Sequence, residues 1–451
     1  MSARSCVVLI GTCDTKLEEL LFLRDEITRA GTKVLFIDVG RKPVQYDSID
    51  IRQDQLMRDY ADDAKVDGLP RGEVIKMMAG CATKAVKQLY DQGYIHGIIS
   101  AGGSGGTSLA AEVMRNALPI GFPKMIVSTI ASGDTGPIVE ETDITLMPSV
   151  VDVSGLNEIL RRVLSNAAQA IVAMSQSYPS PSRNPYRQTA KKKRVGITMF
   201  GVTTPAVDAI RKHLEENYDI EAYVFHATGH GGKAMERLVR EGGLDAVLDL
   251  TTTEICDFYT GGVMSAGPHR LEAAAQAGIP NIISVGATDM TNFGPRNTVP
   301  ERYTASRKLY EHNPVVTLMR TSKDEAEQVG KFIVDKLTKH AKDPSTIQVW
   351  LPTGGISMIA VPGGPFEDGE ADSILFQTLK DGLANSGIEV VEDKRAVNEE
   401  GFAHDIAEAL VQKMGSRTTP GSGALRENPP SRSWLDKVGL VAQFAKVWAD
   451  P

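Results

Sequence analysis

The sequence predicts an α/β protein of two domains, each a mostly parallel sheet flanked by helices. Three observations lead there. Short apolar, β-branched runs alternate with helical patterns, as expected of strands covered on both faces by crossover helices. The 451 residues exceed what one ordinary core accommodates. Residues 176–193, QSYPSPSRNPYRQTAKKK, break the alternation with prolines, serines and a basic cluster before it resumes.

In the first domain, residues 1–178, strands are predicted at 6–10, 33–38, 95–100, 124–128 and 143–146. The helix after the first strand shows its period in Leu17, Leu20, Leu21 and Ile27, with Arg24 the polar exception. Further helices are predicted at 71–92, 107–118 and 154–175. A linker at 179–193 ends in the solvated run Lys191–Arg194. In the second domain, 194–414, strands are predicted at 194–200, 221–226, 246–250, 281–285, 347–351 and 389–391. Its helices fall at 205–217, with Thr204 as N-cap and Pro205 in the first turn, then 232–241, 269–277, 323–341, 371–385 and 401–413. Residues 415–451 read as an extended Pro/Gly/Ser-rich tail closed by an amphipathic helix.

Composition bounds the function. Hydrophobic residues at 42% and charged residues at 24% describe a globular chain. A net charge of −8 argues against binding nucleic acid through its phosphates, yet leaves room for a small anion held by backbone N–H groups. Four cysteines without a CxxC pair argue against a disulfide framework and for a reducing compartment. No secretory h-region and no run of about 20 apolar residues is present, so the expectation is cytoplasmic, with no membrane partner. A homo-oligomer, a dimer in the simplest case, is expected for its size and class.

Ligands of an open parallel sheet gather at the carboxyl ends of its strands. The strongest feature there is SAGGSGGTS at 100–108, between an apolar strand and a helix. Gly102, Gly103, Gly105 and Gly106 allow the backbone to approach an anion, the helix N-terminus adds orphan donors, and Ser104 and Thr107 add hydroxyls. No lysine follows the glycines, so it is not a Walker A loop. Gly11, Thr12, Asp14, Thr15 and Lys16 follow the first strand, where Thr15 and Glu18 also fit a capping box. Gly133, Asp134 and Thr135 follow the fourth-strand candidate at 124–128. Asp14 and Asp134 are candidate Mg²⁺ ligands, with an Asx turn as the alternative for Asp134. In the second half, Thr203 and Thr204, His226, Glu254, His269 and Arg270 occupy equivalent strand-to-helix loops. Arg270 opposes the dipole of its predicted helix start, so an anionic partner is expected for it. Micromolar binding requires about 8 kcal/mol, more than one helix terminus supplies, so several loops must converge, and a cleft between the domains is the expected place.

The phrases IGTCDTK (10–16), SAGGSGGTS (100–108), TMFGVTTP (198–205), HATGHGGKAME (226–236) and GGVMSAGPHRL (261–271) resemble a protein family that includes the ATP-binding N-terminal domain of the tomato mosaic virus resistance protein. The likeness runs over residues 5–413 and implies two Rossmann-like domains and ATP binding; Mg²⁺ is expected to accompany the nucleotide. It does not imply the antiviral role. Two other readings stay open. One is an enzyme acting on a small phosphorylated or carboxylated metabolite, with His226, Glu254 or His269 in acid–base work. The other is a module in which nucleotide closes the domains and changes partner binding.

Overall fold

A computed structural model describes residues 5–61, 68–178 and 192–415. The expected linker up to residue 191, and the expected tail and terminal helix beyond 415, lie outside those residues. The first domain runs β1 (Cys6–Gly11), α1 (Cys13–Arg29), β2 (Lys33–Asp38), α2 (Gln53–Tyr60), α3 (Arg71–Asp91), β3 (Gly97–Gly102), α4 (Ser104–Ala117), β4 (Lys124–Ser128), α5 (Gly136–Val139), β5 (Thr145–Pro148) and α6 (Glu158–Ser177). Its strands are parallel in the order β2-β1-β3-β4-β5, with Val7 opposite Val34 on one side and Gly97 on the other. The chain reverses its direction of winding between β1 and β3.

Period-two alternation explains the layers. Along β1, Val7 and Leu9 point to α1 and α6, joining Leu20, Leu23, Leu164 and Ile171. Val8 and Ile10 point the other way, to α3 and α4, joining Met78, Val86, Val113 and Met114. With both faces covered, the strand reads as one unbroken apolar run.

The second domain runs β6 (Lys193–Met199), α7 (Thr204–Asn217), β7 (Ile220–His226), α8 (His230–Arg240), β8 (Ala246–Thr251), α9 (Glu254–Thr260), α10 (Ala273–Ala277), β9 (Asn281–Gly286), β10 (Met290–Phe293), α11 (Glu301–Thr304), β11 (Leu309–Asn313), β12 (Val316–Arg320), α12 (Lys323–His340), β13 (Ile347–Pro352), α13 (Gly369–Leu383), β14 (Glu389–Asp393) and α14 (Glu400–Lys413). The parallel sheet has the order β14-β13-β9-β8-β6-β7, which is the first domain's order with a strand added at the far edge. An antiparallel β10-β12-β11 sheet, absent from the sequence reading, is inserted between β9 and α12 and packs against α9. No helix among the described residues is long and apolar enough to cross a membrane.

Arg237 of α8 joins the two domains. Its Nη2 donates to the carbonyls of Arg115 and Leu118, both at 2.7 Å, at the C-terminus of α4, while Nε donates to Glu241 at 2.7 Å. Glu141 lies 3.6 Å from Nη1. The cation therefore sits where the α4 dipole is negative and answers carbonyls that lack an intrahelical donor. Arg237→Ala strands these buried acceptors and should cost about 2–4 kcal/mol. Calorimetry should then show thermal unfolding that is broader or more divided than in the wild type; an unchanged profile would rule out the clamp.

Candidate functional site

The reversal between β1 and β3 leaves a crevice at the carboxyl ends of those strands, the place where doubly wound sheets accept ligands. A cavity of about 420 Å³ lies there. Thr12, Asp14, Thr15 and Lys16 line it from the turn after β1, and Gly103, Ser104, Gly105 and Gly106 from the turn after β3. Two loops separated by nearly ninety residues in sequence thus face one space.

The geometry at α4 suits an anion. The first helical bond runs from Thr107 N–H to Gly103 O at 2.9 Å, so the N–H groups of Ser104, Gly105 and Gly106 precede the helix's own ladder. No side chain caps that end. Lys16, Arg41 and Arg71 bring three cations to the lining, against the carboxylates of Asp14 and Asp152. Val39, Val74, Ile75, Met78 and Leu109 form an apolar wall. The cavity is lined entirely by the first domain, not shared between domains as expected, because α3, α4 and the turn after β2 supply that wall.

Several predicted contributors are engaged elsewhere. Thr107 is fully buried, its Oγ1 2.7 Å from Ser128 Oγ, so its hydroxyl braces β4 rather than a ligand. Gly102 is buried as the last residue of β3. Gly11 ends β1 against Leu20, so it shapes the turn from behind. Thr15 and Glu18 form no capping box: α1 begins at Cys13 after Thr12, and the Thr12 and Thr15 hydroxyls meet at 3.1 Å. Asp14 Oδ2 accepts the N–H groups of Arg41 (3.0 Å) and Lys42 (3.3 Å), which folds the turn after β2 over the cavity. Asp134 lies outside the lining with Gly133 and Thr135; its Oδ1 accepts Gly136 N–H at 3.0 Å, an Asx turn. Asp14 and Asp134 belong to no common metal-ligand cluster among the described residues.

The second domain repeats the topology but not the opening. Thr203 and Thr251, both fully buried, join hydroxyls at 2.8 Å across the β6/β8 reversal. The chain after β13 lies over them: Ile356 O accepts Ala287 N–H at 2.8 Å, and Val202 O accepts Met358 N–H at 3.0 Å. Thr204 spends its hydroxyl on Phe200 O at 3.2 Å.

The glycine loop before α8 is also filled from within. Glu254 Oε1 accepts Gly229 N–H (2.6 Å) and Gly232 N–H (3.1 Å), so the protein's own carboxylate occupies this helix N-terminus. A Cβ at Gly232 would stand 2.0 Å from Glu254 Oε2, which is why glycine is required. Arg270 donates to Glu254 Oε2 at 2.8 Å, grips both oxygens of Asp249 at 2.5 and 2.6 Å, and approaches Glu236 at 3.4 Å. The expected anion for Arg270 is therefore internal. It precedes α10 rather than opening it. Burial pushes the Glu236 carboxyl up, while the surrounding carboxylates push the Arg270 guanidinium well above its ordinary value. Glu254 is sealed, His226 is exposed at the end of β7, and His269 is exposed beside Glu272, so the three acid–base candidates do not assemble. Burial also raises the thiols of Cys6, Cys13 and Cys256, which leaves them poor nucleophiles.

Comparison with known proteins accounts for nearly all the described residues. Residues 5–180 match the N-terminal domain, and residues 192–414 the C-terminal domain, of the uncharacterised protein family UPF0261. The chain belongs to UPF0261. A UPF0261 protein of Clostridium tetani is 43% identical over 410 residues, covering 90% of this chain and 98% of that one. The ToMV resistance protein Tm-1 of Solanum lycopersicum is 39% identical over 405 residues, covering 84% of this chain and 52% of the tomato protein. Among solved structures, a UDP-N-acetylglucosamine 2-epimerase aligns over 62% of this chain and 79% of its own, at 12% identity and a TM-score of 0.18. That likeness is too slight to bear on function.

In this UPF0261 member the sequence reading missed Arg41, Arg71 and the apolar wall of the cavity. Arg71 had a signal. It opens α3, where a cation opposes the helix dipole, the same anomaly that drew attention to Arg270.

Proposed function

We propose that the first domain binds a nucleotide, ATP in particular, in the cavity at the β1/β3 reversal. The observation behind this is the convergence of the Thr12–Lys16 turn and the α4 N-terminus on one space, walled on another side by aliphatic side chains. Phosphates would lie against the N–H groups of Ser104, Gly105 and Gly106, with Lys16, Arg41 and Arg71 around them. The base would lie on Val74, Ile75, Met78 and Leu109. A helix terminus offers about 0.3–2 kcal/mol and three charge-assisted bonds about 1.5–3 kcal/mol each, a gross sum of roughly 5–11 kcal/mol. Association costs at least about 4 kcal/mol in lost freedom, so the net of roughly 8 kcal/mol for micromolar binding needs help from the wall. That favours a ligand with an apolar ring over phosphate alone. A nucleotide's magnesium would arrive on its phosphates, with Asp14 and Asp152 the acidic side chains in the lining.

Calorimetric titration with ATP, with and without Mg²⁺, tests the reading, with AMP and inorganic phosphate as separate arms. A Cβ at Gly105 would lie 3.2 Å from Arg71 Nη2 and 3.3 Å from Ile75 Cδ1, so Gly105→Glu sets a carboxylate in the anion site. That variant should lose at least about 100-fold in ATP affinity, and Arg71→Ala about 10–100-fold. No heat with ATP, or an unchanged affinity in Gly105→Glu, would end the proposal.

A further inference from the structure

We propose that His213, His404 and Glu408 form a site for a divalent transition-metal ion, zinc or cobalt, on the outer face of the second domain. None of the three lines the first-domain cavity. The ligand atoms they offer all lie within 4.8 Å of one another.

The fold explains the convergence. Helices α7 and α14 pack together over one face of the second sheet, around Val207, Ile210, Leu214, Phe402, Ile406 and Leu410. His404 and Glu408 are four apart on α14 and so share a face. His213 meets them from α7. Its Nε2 is 2.5 Å from Glu408 Oε1, and the rings of His213 and His404 stand 4.3 Å apart between centroids, tilted by 58°. Donor atoms on a tetrahedral zinc ion, with bonds of about 2.0–2.2 Å, stand roughly 3.3 Å apart, so small side-chain rotations would complete the triangle.

One neighbour already orients the set. Tyr218 donates its hydroxyl to Glu408 Oε1 at 2.7 Å. Such outer partners fix the rotamers of metal ligands and tune their basicity. Two imidazoles and one carboxylate suit zinc, cobalt, nickel or copper, whereas magnesium and calcium prefer oxygen throughout. The His404 side chain is 53% exposed, which leaves an ion a path in and an open coordination position. A bound ion would tie the first helix of this domain to its last described one.

The full chain, stripped with chelator and titrated with zinc against a chromophoric competitor, provides the test. The wild type should take up zinc, and His404→Ala and Glu408→Gln should each weaken it at least about 10-fold. Tyr218→Phe, which removes no ligand atom, should cost about 10–100-fold. Cysteine thiols also bind zinc, so cobalt(II) spectra are needed: the expected spectrum lacks the thiolate charge-transfer band. Failure of the wild type to bind either ion, unchanged affinity in His404→Ala, or a thiolate band would each overturn the site.

Discussion

Arg270→Met should lower the unfolding free energy by about 3–5 kcal/mol, the usual consequence of removing one member of a buried ionic network. Arg270 is 1% exposed, and the Asp249, Glu254 and Glu236 side chains around it are scarcely more accessible. With the guanidinium gone, three carboxyls face one another without a cation, and burial then favours their protonation. Asp249 keeps the Thr198 hydroxyl at 2.7 Å, and Glu236 keeps the N–H groups of Leu271 and Ala273. These bonds soften the loss without replacing the charge. Lysine should do little better, since one ammonium cannot reproduce a planar fork that engages Asp249 with two nitrogens and Glu254 with a third. Urea unfolding at neutral pH reads the effect. An unchanged midpoint in Arg270→Met would mean that the cluster contributes nothing to the fold.

The second large effect is on pH dependence. Burial raises the Asp257 and Asp289 carboxyls to about 7. Asp257 accepts N–H bonds from Met264 and Asn292, and Asp289 accepts the Ser357 hydroxyl, but these do not offset the loss of water. Both folded values lie above the unfolded one, about 3.9, so the folded chain binds more protons between roughly pH 4 and pH 7. Their contribution is complete below pH 4 and is lost as pH rises through 7, by up to about 4 kcal/mol for each group. Carboxyls held low, such as Glu325 beside Arg307, act in the opposite sense at the acid end. The decisive comparison is therefore the difference between wild type and Asp289→Asn in urea unfolding from pH 4.5 to pH 8. The variant should lose stability less steeply across that range. Parallel curves would show that Asp289 is ionised throughout.

Much of the architecture was legible. Strands such as Cys6–Gly11 and Lys124–Ser128 announce themselves because burial on both faces demands unbroken apolar runs. The loop at 100–108 was legible for a related reason: that density of glycine beside a strand end marks a backbone that must approach something closely. What approaches it cannot be read from glycine alone. SAGGSGGTS borders an open cavity, while HATGHGG has similar composition and closes around Glu254. The difference lies in one residue, Glu254, 22 and 25 positions from the glycines whose N–H groups it accepts, beyond any local pattern. The antiparallel β10-β12-β11 sheet escaped because it stands outside the strand–helix alternation, and β11 is mostly exposed. The cavity wall escaped because Val74 and Met78 look like any buried helix face until α3 is seen to pass over the β1/β3 reversal.

Glu254 at the N-terminus of α8 is, in effect, a tethered anion. A free phosphate competing for those amides would face a rival whose effective concentration exceeds that of any solute in the surroundings. Fluctuating phosphate levels should therefore leave the second domain's helix terminus untouched, and sensitivity to them should be confined to the first.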